Sequence, residues 1–95
     1  MSVTRINIFQ ARPDSAEALK AFCTPLAAQI AQIPGCLSCR LLQDQDDPTR
    51  LVFVEEWTDL AAHRAAVQNI PAEAMQQAMT LLGAPPQGAY YTSLS

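Results

Sequence analysis

The most restrictive feature of this sequence is the run Leu-Val-Phe-Val at residues 51–54, inside the segment TRLVFVEEW. Side chains on a strand point alternately to its two faces, so this run places apolar side chains on both. Such a run is typical of a strand inside a sheet that is covered on both sides. We therefore predict that residues 49–57 form a central strand with two apolar faces to cover.

The chain has 95 residues, which is enough for one domain and too few for a second. A domain of this size buries only about 60–65% of the surface that its unfolded chain exposes. We therefore expect residues 1–95 to form a single domain, for which an uncovered apolar sheet face would be a strong reason to oligomerise.

Residues 3–10 alternate in character and predict a first strand. Ile6 and Ile8 share one face, and the other face carries Val3, Arg5, Asn7 and Phe9. Pro13 ends the strand, and Asp14, with Glu17 three residues later, is the predicted N-cap of a helix.

One apolar stripe with helical spacing predicts a single helix of about five turns. It consists of Leu19, Phe22, Leu26, Ile30 and Ile33. Pro25 lies inside the stripe without changing its phase, so we expect a kink there rather than a break. Pro34 and Gly35 end the helix.

A β-hairpin follows, in which an acidic turn joins residues 36–43 to the strand at 49–57. Thr58 or Asp59 is the predicted cap of a second helix, whose stripe is Leu60, His63, Val67 and Ile70. Pro71 interrupts that helix, and the stripe Met75, Met79 and Leu82 continues it, either as core packing or as a wall of a ligand pocket. The tail GAYYTSLS is predicted as the last strand.

The resulting order, β-α-β-β-α-β, predicts a ferredoxin-like α+β fold with a four-stranded antiparallel sheet of order 4-1-3-2 and helices on one face. Nothing in the chain is left to cover the other face. We expect that face to carry Phe9, one of the two sets of side chains from residues 51–54, and parts of residues 37–41. We therefore predict a homodimer that packs sheet on sheet.

Composition excludes several classes of partner. Six basic residues against nine acidic ones give a net charge of −3, which disfavours nucleic acid and anionic membrane surfaces. No stretch of about 20 apolar residues predicts a membrane span, and the N-terminus lacks the pattern of a signal peptide. Together with an odd count of three cysteines, this predicts a reducing, cytoplasmic location with free thiols.

The spacing of Cys36 and Cys39 resembles that of a metal or redox pair. On a regular strand, however, positions i and i+3 point to opposite faces, so we expect no shared metal ion. The glycines lie in turns rather than in a phosphate-binding loop, and the serines form no arrangement with the histidine. The residues therefore predict no metal site and no cofactor site.

The segments PGCLSCRLLQD and TRLVFVEEW, followed by a helix that opens DLAAH, resemble the antibiotic biosynthesis monooxygenase superfamily. The resemblance covers residues 3–95. It implies a dimeric α+β barrel and, as activity, cofactor-independent oxygenation of phenols, quinols or polyketide-like aromatic molecules. Some relatives instead open haem with a histidine further along this helix. Residues 67–69, Val-Gln-Asn, offer none, which counts against haem.

The resemblance implies a pocket that contains Asn7, Trp57 and His63, the only histidine. His63 could act as a base because an unperturbed imidazole has a pKa of about 6.5. Alternatively, His63 is a core-edge residue bonded to a backbone carbonyl, Trp57 closes the core, and Asn7 faces solvent or the dimer seam. Two arginines, Arg5 and Arg40, could bind a ligand or pair with Glu55 or Glu56.

The sequence therefore leads to two functional hypotheses. The first is a cofactor-free monooxygenase that acts on a small aromatic molecule. The second is a non-catalytic, ligand-binding or stress-associated dimer of the same fold, because fold alone does not determine activity.

Overall fold

The computed structural model describes residues 2–95 and contains four strands and three helices in the order β-α-β-β-α-α-β. The strands are β1 (Val3–Gln10), β2 (Cys36–Gln43), β3 (Arg50–Trp57) and β4 (Gln87–Tyr91), and the helices are α1 (Ala16–Ile30), α2 (Leu60–Gln68) and α3 (Ala72–Leu81). The ferredoxin-like α+β prediction is confirmed. Pro71 divides the predicted second helix into α2 and α3, because the residue before a proline avoids helical geometry.

The strands form one open antiparallel sheet of order β2-β3-β1-β4, which is the predicted order, and not a closed barrel. The register pairs Arg5 with Glu55, Asn7 with Phe53, and Phe9 with Leu51. Since side chains alternate along a strand, these residues share one face of the sheet.

The core lies between this face and α1. It is built on Leu19 and Cys23 of α1 and on Leu51 and Phe53 of β3, and Phe9 packs against it with its ring 5.4 Å from that of Phe53. The prediction that Phe9 belongs to the open face is therefore wrong. Its alternation with Asn7 and Arg5 assigns it to the helix-covered face.

The opposite face carries Ile6 and Ile8 of β1 beside Val54 and Val52 of β3. None of these four is part of the core cluster formed by residues 2–95. The prediction that one set of apolar side chains from residues 51–54 lies on the uncovered face is therefore confirmed, and that set is Val52 and Val54. Leu41, in contrast, packs on the core, and Leu37 is 60% exposed at an irregularity in β2.

Helix α1 continues through Pro25 as a single helix, as predicted. Its N-cap is Ser15 rather than Asp14, and among residues 2–95 the Ser15 side chain forms no capping hydrogen bond. The helix also ends earlier than predicted, at Ile30. The amides of Gln32 and Ile33 bond to carbonyls three residues back, which marks a tightened final turn.

Asp59 is the N-cap of α2, where its side chain accepts a hydrogen bond of 2.8 Å from the amide of Ala62. Of the predicted apolar stripe only His63 is buried, whereas Leu60, Val67 and Ile70 are exposed. Met75 and Met79 are also about half exposed, at 48% and 47%, so the core prediction for them is wrong. The reason is that α3 packs on α1 rather than on the face of the sheet.

No helix within residues 2–95 is long and apolar enough to cross a membrane.

Candidate active site

A buried polar cluster lies between α2 and the helix-covered face of the sheet. It contains Arg5 of β1, Glu55 and Trp57 of β3, His63 of α2 and Tyr90 of β4. Each of these residues is held there by regular secondary structure, so the cluster is assembled by the fold rather than by a loop.

Gly35 brings α2 close to the sheet. It has a φ of +91°, which is favourable only for glycine, and a Cβ atom at this position would lie 2.7 Å from the Cβ of Ala62. The Gly35 carbonyl also accepts a hydrogen bond of 2.8 Å from the amide of Thr58. These two contacts of Gly35 fix the first turn of α2. They therefore also fix the position of His63, which follows Ala62 in the chain.

His63 is only 8% exposed, and its Nδ1 atom lies 2.6 Å from the hydroxyl oxygen of Tyr90. The imidazole also meets the rings of Trp57 and Tyr90 edge to face, with centroids 5.2 Å away in both cases. The histidine is thus bonded to a side-chain hydroxyl, and not to a backbone carbonyl as in the alternative interpretation of the sequence.

Glu55 is buried beside the histidine, at 6% exposure. One carboxylate oxygen accepts a hydrogen bond of 2.8 Å from Trp57 Nε1 and lies 3.9 Å from His63 Nε2. A carboxylate on that side favours the tautomer with hydrogen on Nε2, which leaves Nδ1 to accept from Tyr90.

Burial sets the protonation of this cluster. It lowers the pKa of His63, and the positive charge of Arg5 lowers it further. Burial also raises the pKa of Glu55, an effect opposed by the Trp57 hydrogen bond and by Arg5. His63 is therefore neutral at pH 7, so its 3.9 Å contact with Glu55 is not an ion pair under these conditions.

Arg5 is the cation of the cluster. It is the cross-strand partner of both Glu55 and Tyr90, and its guanidinium carbon lies 4.7 Å from the centre of the Tyr90 ring. The side chain passes so close to Gly88 that a Cβ atom there would overlap the guanidinium. Arg5 and Glu55 are thus neighbours, as one alternative predicted, although the ion pairs found among residues 2–95 do not include this pair.

Asn7 follows Arg5 on the same face of β1 and pairs with Phe53 and Gly88. Its Oδ1 atom is buried without a hydrogen-bond partner in the described part of the chain. Asn7 therefore lies on the helix-covered face, and its predicted alternative position at the seam of the open faces is wrong.

Of the three predicted pocket residues, the structure brings His63 and Trp57 into contact and places Asn7 one step along β1. Trp57 is only 1% exposed, which favours packing over direct stacking on a substrate. Sequence reasoning missed Tyr90, which it assigned only to a terminal strand. The available signal was a tyrosine in a strand expected to lie beside β1, the strand of Asn7.

The structure overturns the argument made for the cysteines. A β-bulge between Cys36 and Ser38 shifts the register, so that Cys36 pairs with Trp57 and Cys39 with Glu55. Both cysteines therefore lie on the helix-covered face. Burial and the nearby Glu55 raise the pKa of Cys39 to about 12, which makes it a weak nucleophile. No group of three or more potential metal ligands occurs in residues 2–95.

Two grooves lie away from the cluster. One of about 740 Å³ separates α1 from α3 and is lined by residues that include Phe22, Leu26 and Gln77. The other, of about 260 Å³, lies between α1 and the hairpin near Leu42. Neither is lined by His63.

Comparison with known proteins places this chain in a family. The family model described as antibiotic biosynthesis monooxygenase matches residues 2–80. The chain therefore belongs to the antibiotic biosynthesis monooxygenase family. No curated protein matches the sequence.

Solved structures resemble this chain over nearly its whole length. Rv0793 from Mycobacterium tuberculosis is 25% identical, with a TM-score of 0.86 over 100% of this chain and 97% of that one. PA3566 from Pseudomonas aeruginosa is 26% identical, with a TM-score of 0.84 over 99% and 95% of the two chains. SnoaB from Streptomyces nogalater, described as a cofactor-independent oxygenase, is 25% identical, with a TM-score of 0.81 over 99% and 94%.

Proposed function

We propose that this protein is a cofactor-independent monooxygenase that oxidises a small phenolic, quinol or polyketide-like aromatic molecule with dioxygen. Membership of the family and the likeness to SnoaB support a monooxygenase in general. The observation that carries the proposal is the 2.6 Å contact between His63 Nδ1 and the Tyr90 hydroxyl in a buried cluster. It provides a neutral proton acceptor shielded from water.

In the proposed reaction the substrate first loses its hydroxyl proton. Because the Tyr90 hydroxyl occupies Nδ1 of His63, the proton passes to Tyr90 oxygen while Tyr90 gives its own proton to Nδ1. The pKa of His63 is lowered by burial, which keeps the imidazole neutral and able to accept this proton at pH 7. Glu55 faces the opposite nitrogen and stabilises the imidazolium that forms.

The substrate anion then gives one electron to dioxygen, forming a substrate radical and superoxide. The radicals couple with formation of a carbon–oxygen bond, and the proton held by His63 returns to give a hydroperoxide. The oxygen–oxygen bond breaks while the same carbon loses its hydrogen as a proton, which leaves a carbonyl and releases water. One oxygen atom thus enters the product and the other enters water. The protein contributes position, a base and a low-dielectric environment.

Isotope labelling tests this function. Chelator-treated protein would be incubated under ¹⁸O₂ with a panel of hydroquinones, naphthols and anthrones, and the products analysed by mass spectrometry. We expect at least one substrate to gain a single ¹⁸O atom with one O₂ consumed per product. If no member of the panel reacts faster with the protein than without it, the proposal fails.

A ligand-binding protein without turnover is the second candidate. The tight packing of His63 and Trp57, at 8% and 1% exposure, favours it, because a preformed catalytic pocket would leave one of these side chains open to the ligand. Binding of an aromatic molecule without uptake of oxygen is the result that distinguishes this candidate.

We further propose that the protein is a homodimer joined through the face that carries Ile6, Ile8, Val52 and Val54, with the two sheets forming an α+β barrel. Support comes from the apolar character of this face, which the core formed by residues 2–95 does not use. A reducing, cytoplasmic location remains a prediction from the composition and the three cysteines.

A further inference from the structure

Two neighbouring side chains on the helix-covered face of β1 carry polar atoms without partners. Arg5 Nε and Asn7 Oδ1 are both buried, and neither has a hydrogen-bond partner within residues 2–95. One is a donor and the other an acceptor. Buried polar groups are nearly always hydrogen-bonded, so two such atoms two residues apart on one strand face call for an explanation.

The position of Arg5 is fixed by its surroundings. Its guanidinium lies 4.7 Å from the centre of the Tyr90 ring, and its path crosses Gly88, where only a glycine leaves room. Arg5 and Asn7 are partly buried, whereas Gly88, the residue of β4 that pairs with Asn7, is exposed. A small molecule can therefore approach the two orphan atoms across Gly88.

We propose that Arg5 and Asn7 form a substrate-binding pair, in which Arg5 Nε–H donates to an oxyanion or carbonyl oxygen while Asn7 Oδ1 accepts from a hydroxyl group of the same molecule. This inference rests on the proposed function and names its substrate class: an aromatic molecule that carries a hydroxyl group near a second, anionic or carbonyl oxygen. A simple phenol fulfils only half of this requirement.

The charges of the cluster agree with this assignment. Deprotonation of the substrate creates an anion, and Arg5 is the cation found against Tyr90, the residue through which the proton leaves. A preorganised donor next to developing negative charge stabilises it more than water does.

Calorimetric titration tests the pair without turnover. The probes are salicylate, which has both groups, benzoate, which lacks the hydroxyl, and phenol, which lacks the carboxylate. We expect wild-type protein to bind salicylate about tenfold more tightly than either analogue, since each analogue lacks one hydrogen bond and such a loss is worth roughly that factor.

The variants assign each half of this selectivity. Arg5→Lys keeps the charge but removes Nε–H, so the advantage of salicylate over phenol should fall several-fold. Asn7→Leu, of similar size, should abolish the advantage over benzoate. Arg12→Lys, at an exposed position between β1 and α1, is the matched control and should bind as wild type. Gly88→Ala should reproduce the Arg5→Lys result, because its Cβ displaces the guanidinium without changing Arg5.

The outcomes separate this inference from the proposed function. The substrate-binding pair is wrong if the wild-type protein binds none of the probes or binds all three equally. It is also wrong if the folded variants Arg5→Lys, Gly88→Ala and Asn7→Leu keep the wild-type selectivity. Both conclusions hold even when oxygen is consumed. If the selectivity follows the variants but no substrate takes up oxygen, the pair stands and the monooxygenase proposal fails.

Discussion

The Nδ1 atom of His63 and the hydroxyl of Tyr90 lie 2.6 Å apart, although the two residues are 27 positions apart in the chain. One belongs to α2 and the other to β4, the last strand of the sheet. The contact therefore depends on the whole fold: β4 must pair with β1, and α2 must be held against β3. It joins the only histidine of the sequence to a hydroxyl group that can pass a proton between a bound substrate and the imidazole.

Replacing Tyr90 with phenylalanine should interrupt the proton path. We expect Tyr90→Phe to lower kcat for oxygen uptake by about 10- to 100-fold, at or below the lower end of what general acid–base catalysis contributes, because a water molecule can take the place of the lost hydroxyl beside His63. Tyr91→Phe is the matched control, since Tyr91 is 50% exposed and points to the other face. Equal rates for the two variants would show that Tyr90 does not carry the proton.

The acidic limb of the pH–rate profile should lie below pH 6.5. Burial, reinforced by Arg5, lowers the pKa of His63 from its ordinary value of 6.5, so the neutral form persists to lower pH. Activity requires the neutral imidazole and is therefore lost as the pH falls through the lowered pKa. The other polar groups that face this ring are Glu55 at Nε2 and Tyr90 at Nδ1. Measuring kcat from pH 4.5 to 8 checks this. A limb centred above pH 6.5 would contradict a buried, neutral base.

Gly35→Ala should destabilise the protein by about 1–3 kcal/mol, the usual cost of a non-glycine residue in a strained backbone conformation. Position 35 has a positive φ, and the new methyl group would lie 2.7 Å from the Cβ of Ala62. Urea unfolding followed by circular dichroism measures the change. Gly83→Ala is the comparison: the structure records no positive φ there, and its Cβ would lie 3.3 Å from the Ala11 carbonyl oxygen, so we expect a smaller loss than at Gly35. If both variants lose the same stability, Gly35 does not hold α2 in place.

The open face of the sheet should mediate dimerisation. Light scattering should give twice the protomer mass of 10.3 kDa, and a stable dimer of this kind should bury at least about 1,200 Å² in total. Val54→Arg places a charge in the middle of that face and should produce monomers. Val67→Arg, at an exposed position of α2, should remain dimeric. A wild-type mass near 10 kDa at micromolar concentration would refute the dimer.

Alternation and turn signals predicted most strands closely: β1 and β2 have the predicted bounds and β3 begins one residue late, whereas β4 covers residues 87–91 rather than the predicted 88–95. Those patterns are local, so they fail where tertiary contacts decide. Phe9 was assigned to the wrong face because both faces of β1 carry apolar residues. Met75 and Met79 form a regular stripe, yet α3 packs on α1 rather than on the sheet, which leaves them exposed.

The candidate site shows the same limit. His63 and Trp57 could be predicted to meet because they flank one short connection between β3 and α2. The contact with Tyr90 could not, because it requires the register of β4 against β1. The bulge that turns Cys36 and Cys39 to one face was equally hidden, since a single extra residue in β2 reverses the alternation.

The most direct test of the account is the rate of oxygen uptake by the His63→Ala variant with the best substrate of the panel. If His63 is the base, kcat should fall by about 10²- to 10⁴-fold relative to wild type, while Arg64→Gln, an exposed neighbour on α2, should leave it unchanged. Thermal unfolding of both variants establishes that they are folded. A folded His63→Ala variant that consumes oxygen at the wild-type rate would contradict the central claim.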